Sequence, residues 1–264
     1  MLLPFNGRNL AYDLIGPETA PVVCKTHSLA SDGGMWAEQV PALLEGGFRV
    51  LRMDMRGHGG SDPVDGAYTM AGLAGDVLAV LDALGMAKVH YIGLSIGGMI
   101  GQAFAIKHGG RLLSAMWCDT MPQTPPGSTQ AWEDREKIVR GAGSLLPLAD
   151  ATVDRWLTEK VKAERPNRYQ QIRDTIIGTT AAGYLGCTAA IRNYDFIPDL
   201  PSVKVPVLVV CGSDDAGTPP EANRRIAGLV ATGRYEEIAD ARHFPNVEHP
   251  GRFNQIMMSW LKSQ

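Results

Sequence analysis

The chain has 264 residues, a formal net charge of −3 and 45% hydrophobic content, enough for one sizeable core or one core with a small inserted domain. A pI near 6.1 gives no electrostatic footprint for nucleic acid or an anionic membrane, so neither is expected as a partner. No apolar run approaches the roughly 20 residues that span a bilayer, and the start, Met1-Leu2-Leu3-Pro4-Phe5-Asn6-Gly7, lacks the basic n-region of a secretory signal, so the expected location is cytoplasmic.

Residues 1–14 read as a β-hairpin turning at Asn6-Gly7. Pro21–Thr26 is a buried-type strand that runs into the polar, Gly-rich loop His27-Ser28-Leu29-Ala30-Ser31-Asp32-Gly33-Gly34. A helix carrying Trp36, Val40, Leu43 and Leu44 follows and stops at Gly46-Gly47; Phe48–Met53 is the next strand, leading into Asp54-Met55-Arg56-Gly57-His58-Gly59-Gly60-Ser61. Thr69 caps a helix with apolar positions at Leu73, Val77, Val80, Leu81 and Leu84 that ends at Gly85. Residues 88–92 form a short apolar strand, the pattern turns helical from Ile96, and Leu112–Cys118 is another strand.

The alternation breaks near residue 120. Met121–Ser128 is a Pro- and Gly-rich linker, and Ala131 to about Arg192 is helical throughout, punctuated by Pro147 and Pro166. Strand and helix resume at Val205–Cys211, with a helix at about 220–230, a strand at Tyr235–Ile238 and a last helix from about Arg252 to Leu261. Strands alternating with helices at this spacing predict an α/β fold with a mainly parallel sheet covered on both faces. The predicted organisation is a core of residues 1–120 and 199–264 with a helical insertion at 121–198.

Chemistry concentrates where strands end. Gly93-Leu94-Ser95-Ile96-Gly97 lies between a strand and a helix, the nucleophile-elbow pattern, in which the sharp turn lifts the serine clear of the sheet. A serine needs an imidazole to take its proton and a carboxylate to hold that imidazole's tautomer. The strand ending at Cys211 runs into Gly212-Ser213-Asp214-Asp215, and the one ending near Ile238 runs into Asp240-Ala241-Arg242-His243. The order Ser95, Asp215, His243 is that of α/β-hydrolases. Asp214 competes with Asp215, and the spacing to Thr218-Pro219 favours Asp215.

The remaining titratable groups suit structural roles. Cys24, Cys118, Cys187 and Cys211 are far apart with no Cys-x-x-Cys pair and read as reduced, mostly buried hydrophobes. No metal-ligand spacing such as His-Glu-x-x-His and no phosphate- or dinucleotide-binding glycine pattern appears, so neither metal nor cofactor is expected. His27, His58, Asp54 and Arg56 read as loop braces, and His90, His108 and His249 as strand, helix-end and capping residues.

Over its whole length the chain resembles the α/β-hydrolases, and within them the 3-oxoadipate enol-lactonase and small-carboxylesterase branch. The residues that carry this are His27–Asp32 with Trp36, Asp54-x-Arg56-Gly57-His58-Gly59-x-Ser61, Gly93–Gly98, Gly212-x-x-Asp215-x-x-Thr218-Pro219 and Ala241-x-His243-x-x-x-x-Glu248-x-Pro250, with Gly183-Tyr184, Cys187 and Ala190 in the helical segment. Most relatives have His-Gly where this chain has His27-Ser28, a departure shared with enol-lactonases. The resemblance implies an α/β-hydrolase fold with a helical cap, and a cofactor-free serine hydrolase that acts on a small ester or lactone as a monomer or homodimer. It assigns Ser95 as nucleophile, His243 as general base and then acid, Asp215 as the orienting carboxylate, and the backbone N–H groups of Leu29 and Ile96 as the oxyanion hole. Ser28, Trp36, Trp132 and Tyr184 are candidate substrate contacts, although packing is the default for the aromatics. An anionic lactone needs one cap cation turned inward, from Arg135, Lys137, Arg140, Arg173 and Arg192. An enol-lactonase, a general carboxylesterase and a slow-turnover ligand receptor are the three readings to separate.

Overall fold

The computed structural model describes residues 1–264. One eight-stranded sheet runs through it: β1 (Leu2–Phe5), β2 (Arg8–Ile15), β3 (Val22–Thr26), β4 (Arg49–Met53), β5 (Val89–Leu94), β6 (Leu112–Cys118), β7 (Val207–Gly212) and β8 (Gly233–Ile238), in spatial order β1-β2-β4-β3-β5-β6-β7-β8. β1 pairs antiparallel with β2, and β2 with β4; every other pairing is parallel. The hairpin turn is where the sequence placed it, with Asn6 at φ 49° and Gly7 at φ 75°; a two-residue turn of this hand matches strand twist.

Helices α1 (Val40–Glu45), α2 (Met70–Ala83), α3 (Ile96–His108), α9 (Pro220–Leu229) and α11 (Pro250–Lys262) accompany the sheet, together with the one-turn α10 (Pro245–Glu248). The expected helix through Trp36 and Leu44 is split: Gly33–Gln39 is a 3₁₀ segment and α1 begins after it. Pro41 explains the break, because it has no N–H to donate into a continuous α-helix. Asp32 accepts from Gly34 N at 2.7 Å at the start of that segment, and the Thr69 hydroxyl caps α2 by accepting from Gly72 N at 3.0 Å.

β5 and β7 are buried along their whole length, so the core is the sheet with its two helical layers. The reading of the cysteines as buried and unpaired holds for all four. A lysine side chain lies inside this core. Lys25 on β3 is fully buried, its Nζ 4.1 Å above the Trp36 ring and 3.7 Å from Met257 Sδ.

Between β6 and β7 the chain passes through α4 (Thr129–Ala142), α5 (Ala149–Trp156), α6 (Glu159–Glu164), α7 (Pro166–Gly178) and α8 (Ala181–Ile191). Polar ties fasten this segment over the carboxyl edge of the sheet. Thr180 N donates to Gly57 O at 2.9 Å, Arg165 and Arg168 pair with Glu38, and Arg242 donates to the carbonyls of Asp154 and Leu157. No helix is long and apolar enough to cross a membrane.

Candidate active site

Ser95 sits between β5 and α3 at φ 59°, ψ −120°, a region that side-chain-bearing residues rarely adopt and that persists only where the surroundings enforce it. The surroundings do so here. Ser95 N donates to Cys118 O at 2.9 Å, Thr120 Oγ1 donates to Ser95 O at 2.8 Å, and Tyr91 Oη donates to Gly97 O at 2.8 Å. The turn closes so tightly that a Cβ on Gly93 would stand 2.2 Å from Gly97 O, and one on Gly97 2.6 Å from Thr26 O. Those two positions admit only glycine, which is the physical content of the Gly-x-Ser-x-Gly spacing. The Ser95 hydroxyl makes no capping bond to its own helix.

β7 and β8 deliver the other two groups. His243 Nδ1 lies 2.7 Å from Asp215 Oδ2. Gly217 N and Thr218 N donate to Asp215 Oδ1, and the Thr218 hydroxyl donates to Oδ2. Burial pushes the Asp215 carboxyl up, but the facing imidazole and these hydrogen bonds outweigh it and hold the group well below the ordinary carboxylate range. Asp214, its sequence rival, is exposed and accepts from Ser213 Oγ. Asp119 completes a cluster in which its carboxylate and ligand-type atoms of Asp215 and His243 lie within 4.8 Å of one another. The oxygens of Asp215 are already occupied by four hydrogen bonds, which leaves no free ligand set for a metal ion.

The loop after β3 faces the elbow. Ala30 has φ 58°, its N–H donates to His58 Nε2 at 3.1 Å, and Ser28 N points at Met35 Sδ at 3.3 Å. Leu29 N, between them, has no partner in the protein, and Ile96 N is a first-turn N–H of α3, which an α-helix leaves unpaired. His27 and His58 brace these loops. His27 Nε2 accepts from Met55 N at 2.9 Å, His58 Nδ1 lies 2.9 Å from Arg56 O, and burial, reinforced by His27, lowers His58 to about 3. The His58 imidazole is therefore neutral. Asp54 accepts from Gly33 N and Gly60 N, and Arg56 pairs with Asp76. His90 meets Ser114 Oγ at 2.9 Å, and His249 Nε2 lies 3.0 Å from Asp240 O.

The candidate substrate contacts divide. Ser28 is buried beside Met35, and Trp36 lies in the core against Lys25 and Phe253, as the packing alternative has it. Trp132 is half-buried with the Arg135 guanidinium 5.0 Å above its ring. Tyr184 is buried, which pushes its phenol up to about 12 against the pull of Arg135 and Arg155. Of the cap cations singled out in sequence, Arg173 pairs with Asp150 and Arg192 with Glu133 and Glu136, whereas Arg135, Lys137 and Arg140 have no carboxylate partner; of these three, Arg135 is the one that acts on Tyr184.

The sequence marks Glu248 only as a motif residue and Trp156 only as a cap aromatic, and it does not mark Arg155 or Asp119; their contacts come from the structure. Trp156 stacks on Phe244 at 4.6 Å and approaches the His243 ring at 6.2 Å; Arg155, next to it, is a further cap arginine without a carboxylate partner, and with Arg135 it is one of the two that act on Tyr184. Glu248 accepts from Thr158 N and Arg242 N and so locks α5 and α6 to the His243 loop. Asp119 follows β6 directly and is fully buried; the rule that strand ends carry chemistry pointed at it, but no motif marks it.

A serine on such a turn, at the carboxyl edge of a mainly parallel sheet, marks the α/β-hydrolases, and the chain belongs to that family: the alpha/beta hydrolase fold model matches residues 21–250. Within it, the chain is 32% identical to 3-oxoadipate enol-lactonase 1 of Acinetobacter baylyi, over 100% of this chain and 97% of that protein. The enol-lactonase of Burkholderia xenovorans LB400 superposes with a TM-score of 0.94 at 37% identity, covering 99% of this chain and 100% of that one. A thermophilic esterase from Thermogutta terrifontis follows at TM-score 0.90 and 29% identity, covering 99% and 96%.

Proposed function

We propose that the protein is a serine hydrolase that opens a small lactone, of the enol-lactone type, through an acyl-enzyme. The observation that carries the mechanism is the buried 2.7 Å contact between His243 Nδ1 and Asp215 Oδ2, on the strand edge that also presents Ser95. With Nδ1–H committed to Asp215, Nε2 is the basic nitrogen. Ser95 Oγ attacks the lactone carbonyl carbon and its proton passes to Nε2. The carbonyl oxygen becomes an oxyanion that accepts from Leu29 N and Ile96 N. The C–O ring bond breaks, the leaving oxygen takes the proton from Nε2, and the ring-opened acyl group stays on Ser95. Water then gives a proton to Nε2 and its oxygen to the acyl carbon, releasing the acid and regenerating Ser95.

The lactone preference is supported by the two enol-lactonases that the chain resembles and by the cap. Arg135 and Arg155 are cap arginines without a carboxylate partner, and both influence Tyr184. A carboxylate carried by the substrate would supply what they lack. The likeness to an esterase supports a general carboxylesterase as the second reading.

Steady-state hydrolysis of an enol-lactone bearing a carboxylate, a saturated lactone and a short p-nitrophenyl ester separates them. The expected order has the enol-lactone ahead by at least about 100-fold, with Ser95→Ala inactive on all three by about 10⁴-fold or more. Arg135→Gln raises KM for the anionic lactone about tenfold, roughly 1.4 kcal/mol, and leaves the neutral ester unaffected. A simple ester ahead of both lactones assigns the carboxylesterase instead. A single turnover per chain, rather than rates of about 1 per second, assigns a receptor.

A further inference from the structure

Asp119 is the buried ionisable group at the sheet edge for which the proposed mechanism has no use. It has 0% exposure and φ 44°, and its N–H donates to Val210 O at 2.9 Å. Its Oδ1 accepts from Gly212 N at 2.8 Å, which ties the end of β6 to the end of β7. Its Oδ2 is buried with no hydrogen-bond partner. An orphaned buried carboxylate oxygen costs about 1–3 kcal/mol or more, and a purely structural tie, which needs only Oδ1, does not account for the second oxygen. The remaining oxygen belongs to a cluster with Asp215 and His243 that spans no more than 4.8 Å.

We propose that Asp119 is a second positioning carboxyl for His243, neutral while Asp215 holds the imidazole and able to become its anchoring carboxylate when Asp215 is lost. The proposal rests on the assignment of Ser95, His243 and Asp215 above. Its physical basis is that two buried carboxylates this close do not both ionise. Asp215 accepts from an imidazole, a hydroxyl and two backbone N–H groups, whereas Asp119 accepts from one backbone N–H. The single negative charge therefore resides on Asp215. Burial first and Asp215 second push Asp119 well above the usual carboxylate range. The other ionisable groups facing Asp119, Cys118 and Cys211, are also pushed up, chiefly by burial, and stay neutral thiols. Removing the Asp215 charge removes the repulsion and leaves the burial, so Asp119 loses its proton to solvent toward alkaline pH, where the carboxylate can pair with the imidazole. Its oxygen has at most about 2 Å to close to reach hydrogen-bond distance from that ring. β6 and β7 are adjacent parallel strands, so their ends offer two carboxyl positions to one histidine.

The test compares Asp215→Ala with Asp215→Ala/Asp119→Asn, using whichever ester or lactone the wild type turns over. Asparagine at 119 keeps the acceptor for Gly212 N and removes only the capacity to ionise, so a structural role would leave the two variants equal. The expected result is a kcat/KM at pH 9 at least tenfold higher in the single variant. That advantage fades as the pH falls and Asp119 takes up its proton. Equal rates at every pH overturn the proposal. Should the alanine variants not fold, the isosteric pair Asp215→Asn and Asp215→Asn/Asp119→Asn makes the same comparison. An Asp215→Ala rate equal to wild type would sink the triad assignment instead. A second readout is independent of substrate: infrared spectra of the wild type at pH 7 show the carbonyl stretch of one buried protonated carboxyl, and Asp119→Asn removes it. No such band in the wild type overturns the neutral Asp119.

Discussion

Lys25 lies under the loop proposed to form half of the oxyanion hole, and replacing it by methionine tests how the core treats that charge. Its amine is fully buried against the Trp36 ring and Met257 Sδ, with no carboxylate partner. Burial lowers it from 10.5 to about 7. That difference of about 3.5 units corresponds to about 5 kcal/mol against the charged form at 1.36 kcal/mol per unit. Between pH 7 and 10.5 the unfolded chain holds this proton and the native protein does not, so stability rises with pH across that window. Below 7 both states are protonated and above 10.5 both are neutral, so the dependence flattens. Lys25→Met keeps a similar volume beside Met257 and removes the titration. In urea unfolding at pH 7.5 the variant is expected to exceed the wild type by about 2–4 kcal/mol, the lower figure allowing for lost contacts with Trp36. At pH 9.5 the wild type recovers about 2.5 kcal/mol and the gap narrows by that amount. Tyrosines and cysteines that titrate in this range are common to both proteins and cancel. A gap that does not change with pH would show that Lys25 has the same protonation in both states, and the reasoning would fail.

The elbow makes a different demand. Gly93→Ala drives a Cβ to 2.2 Å from the Gly97 carbonyl oxygen, backbone against backbone, and should cost about 3 kcal/mol or more of unfolding free energy. An unchanged urea midpoint would mean that the turn relaxes freely. The two adjacent aspartates should separate cleanly. In an Asp119→Asn background, Asp215→Ala is expected to cost about 10³- to 10⁴-fold in kcat, the scale for losing a triad carboxylate. Asp214→Ala, at an exposed position, should change it less than twofold, and comparable losses from both would refute the assignment.

The parts of the fold that the sequence revealed are those set by local chemistry. Asn6-Gly7, the Thr69 cap and the Gly93-x-Ser95-x-Gly97 turn are each fixed by residues adjacent in the chain, and each is found where it was expected. The split at Pro41 was hidden because Trp36, Val40, Leu43 and Leu44 keep helical spacing whether the first turn is 3₁₀ or α. Spacing to Thr218-Pro219 favours Asp215 over Asp214, and Asp215 is the buried one of the two. Asp119 could not stand out. Its meaning comes from β6 lying beside β7, a neighbourhood decided by the sheet and not by any short pattern. The same holds for Arg135 and Arg155. Helical periodicity says which cap residues face outward, but whether an arginine has a partner depends on helices far apart in sequence, as when Arg192 meets Glu133.

The most direct test of a Ser95 acyl-enzyme is a rapid-mixing experiment with a p-nitrophenyl ester whose acyl group leaves the enzyme slowly, followed by intact mass. The account predicts a burst of about one p-nitrophenol per chain, with the acyl mass recovered on the peptide that carries Ser95, and neither in Ser95→Ala. A burst of equal size in Ser95→Ala, or an acyl mass on any other residue, would contradict it.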